Sequence, residues 1–252
     1  MNPPLTILIN AFGRTWILAE ALESALRQDY AGDIEILIVN DFHLQNLLPP
    51  MVVAPRRIVR VVNLLERHKS LGSKRNAGVL LATHDRILLA DDDDIMLPWS
   101  ARTLMGAHLD SNLPAWEGTH FYTERWPPDW RVQRLNAPTA QHGLITRQHW
   151  HALGGFIHSS TRDDIDFLDR ACERWGRHRL VVPVEQPGYL YRWGTDTHHL
   201  SGMSECLKTW EHAYRVARDG VQSGEEPGGN VILKPAWKVD YVAALRQGGY
   251  IP

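Results

Sequence analysis

Four consecutive aspartates, Asp91, Asp92, Asp93 and Asp94, follow directly on the apolar run RILLA (86–90). Like charges held side by side repel one another, so such a turn is either a solvated acidic loop or a place for a divalent cation. Hard oxygen donors of this kind suit Mg²⁺ or Mn²⁺, which keep part of their water and also take phosphate oxygens. The chemistry that follows is a metal ion bridging the protein to a diphosphate. An EF-hand is excluded, because its ligands are spread along a much longer loop with an obligatory Gly, whereas Ile95, Met96 and Leu97 follow here.

A second acidic group, Asp163, Asp164 and Asp166, opens the stretch DDIDFLDRACERWG (163–176). At a helix N-terminus the free N–H groups and the dipole favour carboxylates and lower their pKa. Crowded like charges push the pKa the other way. His198 and His199, in GTDTHHLSG (194–202), add imidazoles that either complete a Mn²⁺ shell or are simply exposed.

The elements that must position these groups are visible as alternating periodicities. LTILI (5–9), IEILIV (34–39), RIVRVV (57–62) and RILLA read as short buried strands. TWILAEALESALRQ (15–28) and SLGSKRNAGVLLAT (70–83) carry helical spacing, with Thr15 and Ser70 as N-caps. Strand and helix alternating in this way predict an α/β fold with a parallel sheet covered by helices. Ligands of such sheets sit beyond the carboxyl ends of the strands, where NAFGR (10–14), ND (40–41) and the aspartates fall.

Beyond residue 111 the pattern changes to Trp- and Pro-rich segments such as WPPDW (126–130), followed by a helix over 163–176 and strands at RLVVPV (179–184) and GYLYRW (188–193). SECLKTWEHAYRVARDG (204–220) predicts a helix ended by Gly220, QSGEEPGGN (222–230) a linker and KVDYVAALRQGG (238–249) a last helix.

The order and spacing of these motifs resemble the nucleotide-sugar-dependent glycosyltransferases of the GT-A fold, family 2. The resemblance is continuous over about residues 5–105 and recurs at 154–176. The family's usual Pro-Thr-Tyr-Asn-Arg reads Asn10-Ala11-Phe12-Gly13-Arg14 here, and its Asp-Asp pair after the second strand reads Asn40-Asp41. SLGSKRNAGVLLATHDRILLADDDDIMLP looks like its Gly, Arg-Asn helix followed by the DXD motif, and GGF (154–156) with TRDDID like its Gly-Gly-Phe and paired acids.

The resemblance implies a GT-A fold over 1–202, with a nucleotide-sugar-binding half at 1–110, an acceptor-binding half at 111–202 and a helical extension at 203–252. It places Asp41 against the imide of a nucleobase flanked by Ala11, Phe12 and Arg14. Arg75 would meet the nucleotide or an aspartate of the motif. Two registers, Asp91 with Asp93 or Asp92 with Asp93, both make Asp93 the metal ligand and leave Asp91 and Asp92 competing for the ribose or sugar. Asp94 would support the ligand or touch the donor sugar. Asp164 would be the general base, with Asp163 its neighbour and Asp166 a weaker alternative. The implied reaction is a metal-dependent inverting transfer from a UDP-sugar to a hydroxyl, of a saccharide or, less in keeping with the charge, of a modified nucleobase in DNA.

Composition bounds the rest. The 252 residues are 44% hydrophobic and 22% charged, and 27 Lys and Arg nearly balance 29 Asp and Glu, so no global charge points to nucleic acid or membrane. Cys172 and Cys206 lack the spacing of a zinc site, and no stretch is apolar enough for a signal or a membrane span, so a cytoplasmic enzyme is expected. Ten Trp, mostly in the second half to about residue 210, serve packing or a flat platform for sugar or base. A nucleotidyltransferase would need a better Gly-rich basic loop than NAFGR, and a dehydrogenase a GxGxxG after the first strand. A non-catalytic nucleotide- or glycan-binding module would be favoured by loss of the acid at 164, which is present.

Overall fold

The computed structural model describes residues 2–51, 54–124, 131–192 and 210–252, with the side chains of 210–213 left aside. The first half alternates strand and helix as the periodicity predicts: β1 (Leu5–Ala11), α1 (Thr15–Leu26), β2 (Ile34–Asn40), β3 (Gln45–Leu48), β4 (Arg57–Asn63), α2 (Leu71–Leu81) and β5 (Arg86–Asp91). After the aspartate turn come β6 (Ile95–Met96), α3 (Ser100–Ser111), β7 (Ala115–Glu117), β8 (His120–Thr123), β9 (Val132–Leu135), β10 (Gly143–Thr146) and α4 (Arg147–Ala152). The chain continues through α5 (Asp163–Trp175), α6 (Arg177–Leu180), β11 (Val181–Val182), β12 (Tyr189–Arg192), α7 (Trp210–Ser223), β13 (Gly229–Ile232) and α8 (Tyr241–Gln247).

Seven strands form the main sheet in the order β11-β7-β10-β5-β1-β2-β4. β5, β1, β2 and β4 are mutually parallel, and β10 enters antiparallel to both β5 and β7. Every residue of β1 and β2 is buried, as expected of central parallel strands whose two faces are both covered. One apolar core gathers Ile7, Ile9, Leu18, Leu22 and Ile36 on one face, and another gathers Leu8, Leu37, Val79, Phe156 and Phe167 on the other. A four-stranded sheet, β6-β12-β8-β9, stands beside the aspartate turn, and β13 pairs with β3.

Several local expectations need correction. RIVRVV forms β4, but β4 is the sheet edge and leaves Ile58 68% exposed. Residues 179–184 split into the end of α6 and the two-residue β11. Ser70 caps α2 in a reciprocal capping box with Ser73, whereas Thr15 is the first residue of α1, not its cap. Its N–H and hydroxyl both donate to the Glu226 carboxylate at 3.1 Å. Glu226 lies in the stretch read as a linker, and that stretch runs into β13, which pairs parallel to β3. α7 passes through Gly220 to Ser223, because the left-handed residue that closes it is Gly224 (φ 78°). Among the described residues no helix is long and apolar enough to cross a membrane.

Candidate active site

Strand register brings three loops to one edge of the sheet. Ala11 stands opposite Asn40 and Asn10 opposite Asp91, so the loops after β1, β2 and β5 leave at one level. The first loop turns sharply through Gly13 (φ 66°) and Arg14 (φ 55°). A left-handed non-glycine costs about 1–2 kcal/mol, and here the turn aims the Arg14 guanidinium at the aspartates. Its Nη2 lies 2.7 Å from Asp92 Oδ1 and its Nη1 3.1 Å from Asp93 Oδ2. The Phe12 N–H also donates to Asp92, at 3.3 Å.

Asp41 is buried and accepts from Lys74 Nζ at 2.6 Å and from the His68 N–H at 3.1 Å. Lys74 Nζ also donates to the Ala11 carbonyl at 2.6 Å and lies 5.6 Å from the centre of the Phe12 ring. Lys74 thus ties Ala11, Phe12 and Asp41 together, yet the sequence reading did not single it out. The available signal was a lysine on the buried side of α2 beside Gly72, Arg75, Gly78 and Val79. Phe12 packs on Phe42 (5.1 Å between ring centres) and near Tyr214 of α7, whose Ala217 joins the same cluster.

In the acidic turn, Asp91, Asp93 and Asp94 each offer an oxygen within 4.8 Å of the other two. Burial pushes the Asp91 carboxyl up to about 7; Arg75 pulls against this, and Asp93 and Asp164 add to it. Asp94 is held well above the usual carboxylate range by burial and then by Asp93 and Asp91, despite accepting from Tyr189 Oη at 2.6 Å and the Arg192 N–H at 2.7 Å. Three hard oxygens gathered this closely fit Mg²⁺ or Mn²⁺. Asp92 points instead to Arg14 and the Phe12 amide.

Arg75 links this turn to the second acidic group. Nη2 lies 2.9 Å from Asp91 Oδ1, Nη1 lies 2.5 Å from Asp163 Oδ2, and Asp164 Oδ2 is 4.0 Å away. Gly72 makes the approach of α2 to α5 possible: a Cβ there would stand 1.9 Å from the Ile157 carbonyl oxygen and 2.9 Å from Asp163 Cβ. All three acids fall in the first turn of α5. Asp163 is buried against Arg75. Asp166 pairs with Arg170, which also holds the carbonyls of Leu153 and Gly155 in the Gly-Gly-Phe turn. Asp164 is half-buried, and one of its oxygens accepts from the Ile165 N–H at 2.8 Å. His198 and His199 lie outside the described residues.

A mixed sheet with a parallel centre, flanked by helices and carrying an acidic turn at its carboxyl edge, defines the GT-A class of nucleotide-sugar enzymes. Residues 6–165 match the family model described as glycosyl transferase family 2, and the chain belongs to that family. It is therefore a glycosyltransferase, and nucleotidyl transfer and a purely binding role are set aside. The Bacillus subtilis (strain 168) protein named uncharacterized glycosyltransferase YwdF is 29% identical over 192 residues, 70% of each chain. The Escherichia coli UDP-Gal:alpha-D-GlcNAc-diphosphoundecaprenol beta-1,3-galactosyltransferase is 33% identical over 79 residues, 31% of this chain and 28% of its own. Among solved structures, Staphylococcus aureus TarS 1-349 in complex with UDP-GlcNAc superposes with a TM-score of 0.53 at 11% identity, over 75% of this chain and 58% of that one. The chain thus spans less than two thirds of the latter two.

Proposed function

We propose that this enzyme transfers a sugar from a nucleoside diphosphate donor, a UDP-sugar, to a saccharide hydroxyl with inversion at the anomeric carbon. One observation carries the reading: the oxygen cluster of Asp91, Asp93 and Asp94 is joined through Arg75 to the helix start that presents Asp164. The named donor and glycan acceptor of the E. coli relative support the same choice of substrates.

Asp164 takes the proton of the acceptor hydroxyl as that oxygen attacks the anomeric carbon from the face opposite the diphosphate. The new C–O bond forms as the bond to the leaving phosphate oxygen breaks, and no covalent enzyme intermediate is required. Arg75 and Arg170 hold Asp163 and Asp166 at 2.5 Å, whereas Asp164 stands 4.0 Å from Arg75 and is the most available of the three to accept the proton. Asp91, Asp93 and Asp94 would hold Mg²⁺ or Mn²⁺, which when bound neutralises negative charge on the departing diphosphate. Ala11, Phe12, Arg14 and Asp41 form the nucleoside side of the cleft, and Asp92 orients Arg14. Residues 1–110 act as the donor half and 111–202 as the acceptor half, and the described part of the extension at 203–252 packs on both.

The test is nucleoside diphosphate release from UDP-, GDP- and dTDP-sugars with Mn²⁺, in the wild type and in Asp93→Ala. Release from a UDP-sugar that disappears in the variant is expected. Release that survives with any donor refutes the metal assignment.

A further inference from the structure

We infer that Tyr241, at the start of α8, is a positioning residue for the aspartate turn, acting through Arg192 and Glu20; the inference rests on the metal assignment proposed above. Arg192, on β12, grips the turn twice. Its backbone N–H donates to Asp94 Oδ1 at 2.7 Å, and its Nε donates to the Asp93 carbonyl at 2.5 Å. One residue outside the turn thereby contacts both the Asp93 backbone and the Asp94 carboxylate, whose other oxygen accepts from Tyr189.

The guanidinium is planar, so fixing its far end sets the direction in which Nε points. Among the described residues, two partners from elements distant in sequence hold that far end. Nη1 lies 2.5 Å from Glu20 Oε2, on α1, and 3.0 Å from Tyr241 Oη, which donates to the same Glu20 oxygen. Glu20, Arg192 and Tyr241 are all buried. In such surroundings each of these charged hydrogen bonds is stronger than it would be in water, so departing from their geometry is costly. The Tyr241 ring packs independently of its hydroxyl, edge-on to Trp237 at 5.4 Å and with Leu245, Leu97 and Leu190. Removing the hydroxyl therefore separates its directing role from the packing of α8. Through Tyr241 and Arg192, α8 bears on the aspartate turn.

The experiment uses the full chain and reads Mn²⁺ binding rather than turnover. Free Mn²⁺ is titrated by electron paramagnetic resonance with UDP present, in wild type, Asp93→Asn, Tyr241→Phe and Glu20→Gln, with circular dichroism confirming the fold of each. Partners bonded directly to metal ligands change metal affinity by about 10- to 100-fold when lost, and Tyr241→Phe, one residue further out, is expected to weaken Mn²⁺ binding by about the lower factor. A residue that served only the packing of α8 would shift the melting temperature and leave Mn²⁺ affinity alone. Wild-type affinity within about twofold in a folded Tyr241→Phe overturns the inference and leaves the metal site standing. Equal binding by wild type and Asp93→Asn overturns the metal assignment and the inference with it. Should Tyr241→Phe fail to fold, Glu20→Gln, which keeps the tyrosine, carries the same expectation and the same refutation.

Discussion

Replacing Arg75 with methionine removes the guanidinium that joins the two acidic groups and keeps most of its volume. Asp163 would then be left 1% exposed at its side chain and without its 2.5 Å partner, whereas Asp91, at 24%, can regain water. Breaking a buried ion pair by deleting one partner costs about 3–5 kcal/mol. Because only one of the two carboxylates is stranded in full, the lower figure, about 3 kcal/mol, is expected. For a domain of this size that is roughly 6–12 °C in melting temperature. Adding Asp163→Asn to Arg75→Met removes the stranded charge and should return part of the loss, so the two losses are not additive. Reversible urea unfolding of the four proteins, followed by circular dichroism, measures both quantities. A loss under about 1 kcal/mol in Arg75→Met, or additive losses in the double variant, would refute the bridge as a stabilising element.

Glu226→Ala should cost about 1–2 kcal/mol, because it removes the acceptor for the first N–H and hydroxyl of α1 and a negative charge at that helix's positive end, and urea unfolding checks it. Glu117 gives a pH signature: burial pushes its carboxyl up to about 8, against hydrogen bonds from Gly188 and Ser100 that lower it. Between the ordinary glutamate value of 4.5 and about 8 the folded chain keeps this proton while the unfolded chain loses it, so its contribution is whole at low pH and fades as pH rises. Glu117→Gln, a mimic of the neutral acid, should therefore gain stability relative to wild type between pH 5 and pH 8 in guanidinium titrations, and a flat difference would contradict the buried proton.

The parallel strands were legible because burial on both faces makes each a continuous apolar run, and LTILI and IEILIV became β1 and β2 with only small changes at their ends. What depended on distant partners was not. Thr15 has the chemistry of an N-cap, and nothing local says that Glu226, 211 residues away, takes that role. QSGEEPGGN has the Gly and Pro content of a linker, and its last residues become a strand only because the edge of β3 is there to pair with.

In the site, the aspartates stood out by charge alone, but four identical side chains in one turn do not reveal which way each points. Arg14 claims Asp92, and Tyr189 and Arg192 claim Asp94. Lys74 stayed hidden because a lysine in a helix is ordinarily a solvated one. The choice among Asp163, Asp164 and Asp166 turns on Arg75 and Arg170, contacts that helical periodicity does not encode.

The proposed chemistry converges on Asp164, and its replacement by asparagine is the most direct measurement. Donor binding is followed by calorimetry with a UDP-sugar and Mn²⁺, and transfer by mass spectrometry of the glycosylated acceptor. Asp164→Asn should bind donor as the wild type does and lose transfer by about 10²- to 10⁴-fold, the contribution of a positioned general base. Transfer at the wild-type rate would contradict the assignment and move the base to Asp163 or Asp166.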